Sequence, residues 1–359
     1  MIGLWLKQIL AVLRIEMRKT FFARRGIWVY LLALAPVLLF TAHTIIAPRR
    51  EARLEQIGAQ HHVSKWALLM IRPDMTRQEI EKKLGPPYSH YTRFQEVGNH
   101  QTIRRDFYRY TDGQTDTQLI FFNDRLVGIN HRQPENLATD NTVFATIFQF
   151  YYLRLAIFFG CVGIFTNLFR GEMVDKNLHF YLLTPMRREV LLVGKFFAGL
   201  IATSVIFTIG TALQLIAMLW MYRGPILTQY LHDGGWSQIG AYMGVTALAC
   251  AGYGSIFLAA GLIWRNPIIP AAIVLIWESA NVFLPATLKT VSVIFYLQSL
   301  CPVVAAPEND MSMPLQLLLS ATQPPKAGTA IMGLIVLVVV LLAIGARWAR
   351  RLEINYGTD

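Results

Sequence analysis

The densest chemistry in the chain lies between Arg170 and Lys195, where Glu172, Asp175, Lys176, His179, Arg187, Arg188 and Lys195 are gathered around Pro185 and Gly194. Val174, Leu178, Tyr181 and Leu182 fall at i, i+4, i+7 and i+8, one helical stripe, while Asp175 and His179 share another face. Pro185 ends such a helix, because its ring blocks the turn and pushes Thr184 out of helical geometry. The spacing predicts a short amphipathic helix over 171–184 with its polar side presented to a partner. Two further ionisable residues, Arg154 and Glu278, stand with His43 inside otherwise uncharged runs. A lone charge at the bilayer centre costs at least about 2.5–3.5 kcal/mol, so each needs a partner or water. Glu278 is expected to face the packed interior or a cavity, neutral, paired with Arg154 or lining a polar path. Arg154 can instead snorkel to the end of its span. Neither a clustered His/Asp/Glu constellation nor an activated nucleophile is visible, so no catalytic residue is assigned. His61, His62, His90, His100 and His131 lack ligand spacing with carboxylate or cysteine support and read as surface residues, so no metal or cofactor is expected. No Gly-x-x-x-x-Gly-Lys-Ser/Thr loop occurs, so this chain is not expected to bind ATP by that route or to be an enzyme.

These residues sit in a chain of 359, 54% apolar and only 15% charged, with a mean hydropathy of +0.40. That balance excludes a soluble enzyme, a secreted disulfide scaffold and a disordered tail. Cys161 and Cys250 lie within apolar runs and Cys301 stands alone, so no disulfide framework is visible. Six runs can cross a bilayer at about 20 residues each: Ile27–Ala47, one within Thr142–Phe169, Phe196–Tyr222, Ile239–Trp264, Pro267–Leu288 and Ala327–Ala346. With the N-terminus in the cytoplasm, fifteen Lys and Arg fall on inner segments and three on the short outer loops, so both termini are expected inside. The net charge of +11 thus points to a membrane and not to nucleic acid. Thr290–Pro307 is also uncharged; Gln298 and Pro302 interrupt it, and it reads as an outer-leaflet or re-entrant helix within an extracytoplasmic segment over 289–326.

The first 25 residues read as an interfacial helix, with Ile2, Leu6, Ile9, Leu13 and Met17 on one stripe and Lys7, Arg14 and Arg18 beside it to meet anionic lipid heads. Residues 26–47 form the first span, and 48–141 form an extracytoplasmic domain of fourteen basic and twelve acidic residues. Within it, Thr76 and Glu79 have capping-box spacing before a helix that Gly85-Pro86-Pro87 stops. Strands are predicted at Phe107–Tyr110, Gln118–Phe122 and Leu126–Asn130, turned at Asp112-Gly113 and Asn123-Asp124. A small α+β fold follows. In the fourth span Gly240, Gly244, Ala247, Ala251, Gly254 and Gly261 share one face, a surface for close helix packing within one protomer or at a dimer seam.

Two resemblances add to this reading. Residues 75–127, through Leu84-Gly85-Pro86, Asp106-Phe107-Tyr108-Arg109-Tyr110 and Leu119–Val127, resemble the SmpA/OmlA-type small lipoprotein domain, which implies a contact for an envelope protein. Glu172, Leu182-Leu183-Thr184-Pro185, Arg187-Arg188 and Gly194-Lys195, in this order after the second span, resemble the permease subunit of ABC-2 type transporters. Lys176-Asn177 departs from that pattern, where many relatives have Gly-Thr. The resemblance implies an all-α polytopic protein of six spans in a bacterial inner membrane, a coupling helix at 171–184 docked on a separate ATPase subunit, and a second permease subunit. Export is favoured because permeases of that family mostly export. The competing reading is a non-transporting envelope scaffold whose spans anchor the 48–141 domain.

Overall fold

The computed structural model describes residues 2–22, 26–61, 63–97, 101–132, 136–174, 187–264, 266–303 and 324–351. The chain divides into a helical unit, Met1–Thr41 with Asp140–Asp359, and a smaller unit, Ala42–Thr139.

The helical unit opens with α1 (Ile2–Phe22) and the start of α2 (Ile27–His61). After the insert come α5 (Leu137–Ile147), a π-type stretch at Phe148–Ile157, and α6 (Phe158–Val174). Then follow α7 (Arg188–Leu219), α8 (Pro225–Tyr230) and α9 (Trp236–Ile263). The last elements are α10 (Ile268–Ser279), α11 (Ala286–Lys289), α12 (Val293–Leu300) and α13 (Ala327–Arg350). Five helical segments, Ile27–Gln60, Leu137–Met173, Arg188–Leu219, Pro225–Ile263 and Ala327–Arg350, are long and apolar enough to cross a membrane. The protein is a mostly helical, multi-pass membrane protein by that measure.

Glycines set how closely these helices approach. A Cβ at Gly199 would stand 2.7 Å from the Phe165 ring, and one at Gly254 would collide with the same ring. Phe165, fully buried, therefore fills the space between α7 and α9 where only hydrogen can sit on the opposing backbones. At the other end of α9, Tyr242 packs edge-on to Phe144 and Phe148, with ring centroids 4.9 and 4.8 Å away. The buried Asp140 carboxylate accepts the Tyr222 hydroxyl at 2.7 Å, tying the start of α5 to the chain just beyond α7.

The predicted single helix over Pro267–Leu288 is not what forms. Pro285 holds Leu284 extended (ψ 146°), as the residue before proline must be. The segment therefore holds α10, 12 residues or about 18 Å, then a 3-10 turn and most of the four-residue α11; the next helix, α12, is 8 residues or about 12 Å and starts beyond it. Neighbours give the direction of each. α10 starts where α9 ends; Val293, opening α12, lies against Gly252 near the middle of α9. Beyond α12, the Val303 carbonyl accepts from Gln149 Nε2 at 2.8 Å, beside Phe148 and hence level with Tyr242. Together α10 and α12 run alongside the whole of α9 in two pieces. The expected outer-leaflet or re-entrant helix at Thr290–Pro307 is, over its described part, the second of these pieces.

In the smaller unit, the helix of the first apolar run does not stop at Pro48 but continues to His61. Thr76 caps α4 (Arg77–Leu84) with both bonds of the box formed, and Gly85 ends it at φ 77°. Ile80 and Leu84 are buried against the sheet core of Tyr108, Tyr110, Leu119, Phe121 and Leu126. A short α3 (Lys65–Leu69) precedes. The sheet is an antiparallel meander β1-β2-β3-β4 of Ser89–Val97, Gln101–Thr111, Asp116–Phe122 and Arg125–Arg132. Three of its strands enclose the predicted ones. Both predicted turns carry positive φ, at Gly113 and at Asn123-Asp124. The first strand, mostly polar at the sheet's edge, was not predicted.

This unit carries a pH dependence whose sign follows from two aspartates. Burial pushes Asp106 up, but the Thr92 hydroxyl at 2.6 Å and Arg104 at 3.2 Å outweigh it and hold the carboxyl below its ordinary value. Asp112 is likewise lowered, burial being outweighed by the amide and hydroxyl of Thr115 and the amide of Gln114. A depressed folded-state pKa gives stability present above the ordinary aspartate value and lost as pH falls through the folded one. Hydrogen exchange in the full chain is therefore expected to quicken in β2 and the 111–116 turn on acidification below the aspartate range. Protection that stays level throughout would remove these carboxylates from the account.

Candidate functional site

Four of the charged residues singled out in the sequence, Glu172, Arg187, Arg188 and Lys195, lie where the ends of several helices of the helical unit meet. Lys195, about two turns into α7, is fully buried. Its Nζ donates to Glu16 Oε1 at 2.6 Å, to Glu172 Oε2 at 2.7 Å and to the Leu168 carbonyl at 2.7 Å, filling all three ammonium positions. The Phe169 ring centroid lies 5.3 Å away. Lys19 bridges the other oxygen of Glu172 at 3.2 Å, so two ammonium groups face two carboxylates. Burial pushes the Glu16 carboxyl up, Lys195 draws it back, and the adjacent Glu172 adds to the rise; the balance lies above the ordinary glutamate value.

The backbone permits this arrangement at Gly194. A Cβ there would stand 3.0 Å from the Val12 side chain and 3.6 Å from the Ile9 carbonyl, so α1 lies directly on the start of α7. Arg187, just before α7, places its guanidinium 5.1 Å from the centre of the Trp5 ring. Arg188 Nη1 donates to the Arg350 carbonyl at 2.9 Å, and Glu189 pairs with the Arg350 side chain at the end of α13. The ends of four elements are thus fastened together by Glu16, Glu172, Arg187, Arg188, Glu189, Gly194 and Lys195.

This changes the roles expected of several residues. Lys195 has no exposed surface for a second protein, and Glu172 is 7% exposed; both fasten α1 to α6 and α7. Glu16, absent from the predicted site, is the residue the cluster is built around from the α1 side. The packed face of α1 is also rotated from the predicted stripe. Val12 and Glu16 are buried, whereas Leu6, on the predicted apolar face, is 55% exposed. Asp175, Lys176, His179, Leu182, Leu183 and Pro185 lie outside the described residues. Because the described chain leaves α6 at Val174 and returns at Arg187, the cluster fixes both anchor points of that segment.

A second buried carboxylate sits at the break between α10 and α12. Glu278 is 4% exposed. It accepts the Ser292 hydroxyl at 2.8 Å and the backbone amides of Val293 and Ile294 at 3.0 and 2.9 Å. The carboxylate thereby caps α12 and satisfies amides that a broken helix would leave bare in an apolar setting. Arg154 acts electrostatically on it, and its guanidinium lies 5.0 Å from the Phe150 ring centre. Glu278 faces the packed interior, as the sequence led us to expect.

The small-residue face of α9 is divided. Gly254 packs on Phe165, and Gly261 lies 3.2 Å from the Thr166 backbone, while Ala247 and Ala251 are half-buried. Gly240 and Gly244 meet nothing within 4 Å. No known family model matches the chain, and no curated protein matches it either.

Proposed function

We propose that this protein is the membrane-spanning permease subunit of an ABC-2 type exporter, driven by a separate ATPase subunit and working beside a second permease subunit. The observation that carries the reading is the buried Glu16–Lys195–Glu172 cluster with Lys19. It makes α1, α6 and the start of α7 one mechanical piece at the ends of the stretch 171–184 that resembles the coupling helix of that family; residues 171–174 continue α6, and 175–184 lie outside the described residues. In this reading both termini are cytoplasmic, the membrane is a bacterial inner membrane, and the chain crosses six times, with α10 and α12 as two halves of the fifth crossing. ATP binding closes the paired ATPase subunits against 175–186 and α1. That closure biases the population of inward- and outward-facing helix packings, because the fastened ends move together and not one at a time. Cytoplasmic Lys and Arg next to the spans also meet anionic lipid heads.

The test is to purify the full chain from its native membrane and assay ATP hydrolysis in the co-purifying fraction, with and without scrambling of 175–186. Vanadate-sensitive hydrolysis that co-purifies with the natural sequence and disappears with the scramble is the expected result. Hydrolysis carried equally by both, or by neither, rejects the permease reading and favours a scaffold that anchors the 42–139 unit. Cysteine labelling at position 176 from the cytoplasmic side alone is the companion expectation for topology.

A further inference from the structure

A cleft of about 730 Å³ opens within the smaller unit between the later part of α2 and the sheet, at the start of β1, the end of β2 and the start of β3. One face of α2 lines it, with Ile46, Arg49, Arg50, Arg53, Ile57 and Gln60 recurring at helical spacing; Tyr88, Ser89, Arg109 and Asp116 line the other side. Four guanidinium groups thus surround one carboxylate. That carboxylate is already taken, because Asp116 accepts from Arg50 Nη2 at 2.6 Å and from the Tyr88 hydroxyl at 2.8 Å. Arg109 Nε is buried and has no hydrogen-bond partner among the described residues. A buried donor left without an acceptor is costly, and here it lies in a cleft whose charge is already in excess.

The position of the cleft adds a second constraint. Ile46 belongs to the uncharged run that ends at Ala47, and Arg49 follows within one turn. Leu54 and Ile57 continue an apolar strip past the arginines. A ligand here meets apolar side chains and guanidinium groups at once, and planar guanidinium forks suit phosphate oxygens. Burial, together with Asp116, pushes the Tyr88 phenol up to about 12, so it stays a hydroxyl near neutrality.

We propose that this cleft binds the phosphate-bearing head of an anionic amphiphile at the membrane surface, with Arg49, Arg53 and Arg109 on the phosphate and Ile46 beside the apolar chain. The site is independent of the transporter reading, since it uses only residues of the 42–139 unit.

The experiment uses the full chain in a neutral detergent, titrated with soluble dihexanoyl phosphatidic acid, dihexanoyl phosphatidylcholine and inorganic phosphate. Calorimetry reads affinity, and hydrogen exchange over 46–60 reads location. Phosphatidic acid is expected to bind saturably and protect that helix. The double variant Arg49→Gln/Arg53→Gln, both side chains exposed, should weaken it by about tenfold or more through loss of two charge-assisted contacts. Arg93→Gln on β1, away from the cleft, should leave it unchanged. Much weaker binding of inorganic phosphate supports a lipid head; inorganic phosphate that matches phosphatidic acid means that the apolar chain adds nothing and overturns the assignment to an amphiphile. Equal binding of phosphatidylcholine to the unaltered chain, no saturable binding of any probe, or full affinity in the double variant overturns it. The phosphatidylcholine comparison needs no variant and so stands even if the substitutions unfold the unit.

Discussion

Lys195→Met is expected to loosen α1 from the rest of the protein and to lower stability by about 3–5 kcal/mol, the usual cost of removing one partner from a buried ionic group. The substitution leaves Glu16 and Glu172 buried and close together without the ammonium that joins them, while Lys19, whose side chain is half-exposed, stays on Glu172. Methionine also leaves the Leu168 carbonyl without the third of the ammonium's three donated bonds. Thermal denaturation of the detergent-purified chain measures the loss, and hydrogen exchange over residues 5–19 locates it. The triple variant Lys195→Met/Glu16→Gln/Glu172→Gln separates charge from packing. Neutralising the whole group is often nearly neutral for stability, so much of the loss should be recovered. If the single variant melts like the unaltered protein with α1 still protected, the cluster does not fasten α1.

Glu278→Leu is the second large effect. Leucine keeps the burial but removes the acceptor of a hydroxyl and two amides. Each donor left bare costs about 1–3 kcal/mol. The amides of Val293 and Ile294 should exchange faster and α12 should fray from its first turn. Glu278→Gln retains one acceptor oxygen and is expected to fall between the two. Unchanged exchange at Val293 and Ile294 in the leucine variant would mean that α12 is held by packing alone, through Val293 on Gly252 and Tyr296 on Gly333.

What the sequence made legible was whatever obeys local rules. The capping box at Thr76 and Glu79 and the turns at Asp112-Gly113 and Asn123-Asp124 need particular residues at fixed spacing, and they form as expected. The edge strand β1 gave no signal because it is mostly polar, with Tyr91 and Phe94 largely exposed, so it shows no alternation with a buried face. Uncharged runs located the long helices, but hydropathy is blind to a break inside an apolar stretch. Pro285 was the visible cue, and the capping of α12 by a residue 14 to 16 positions earlier follows no periodic pattern. The buried charged cluster was half legible. Glu172 and Lys195 stood out by position, yet their partner Glu16 is 179 residues from Lys195, a distance no pattern within the α1 segment encodes.

That same separation imposes an order on biogenesis. At ribosomal rates of roughly 5–20 residues per second, Lys195 is made about 10–35 s after Glu16. Throughout that interval the N-terminal segment lacks the Lys195 ammonium that receives the Glu16 carboxylate. The latch can close only after the polypeptide has threaded the bilayer far enough to deliver α7. Nascent chains arrested before that point should therefore hold the N-terminal segment open to protease, and chains arrested after it should not.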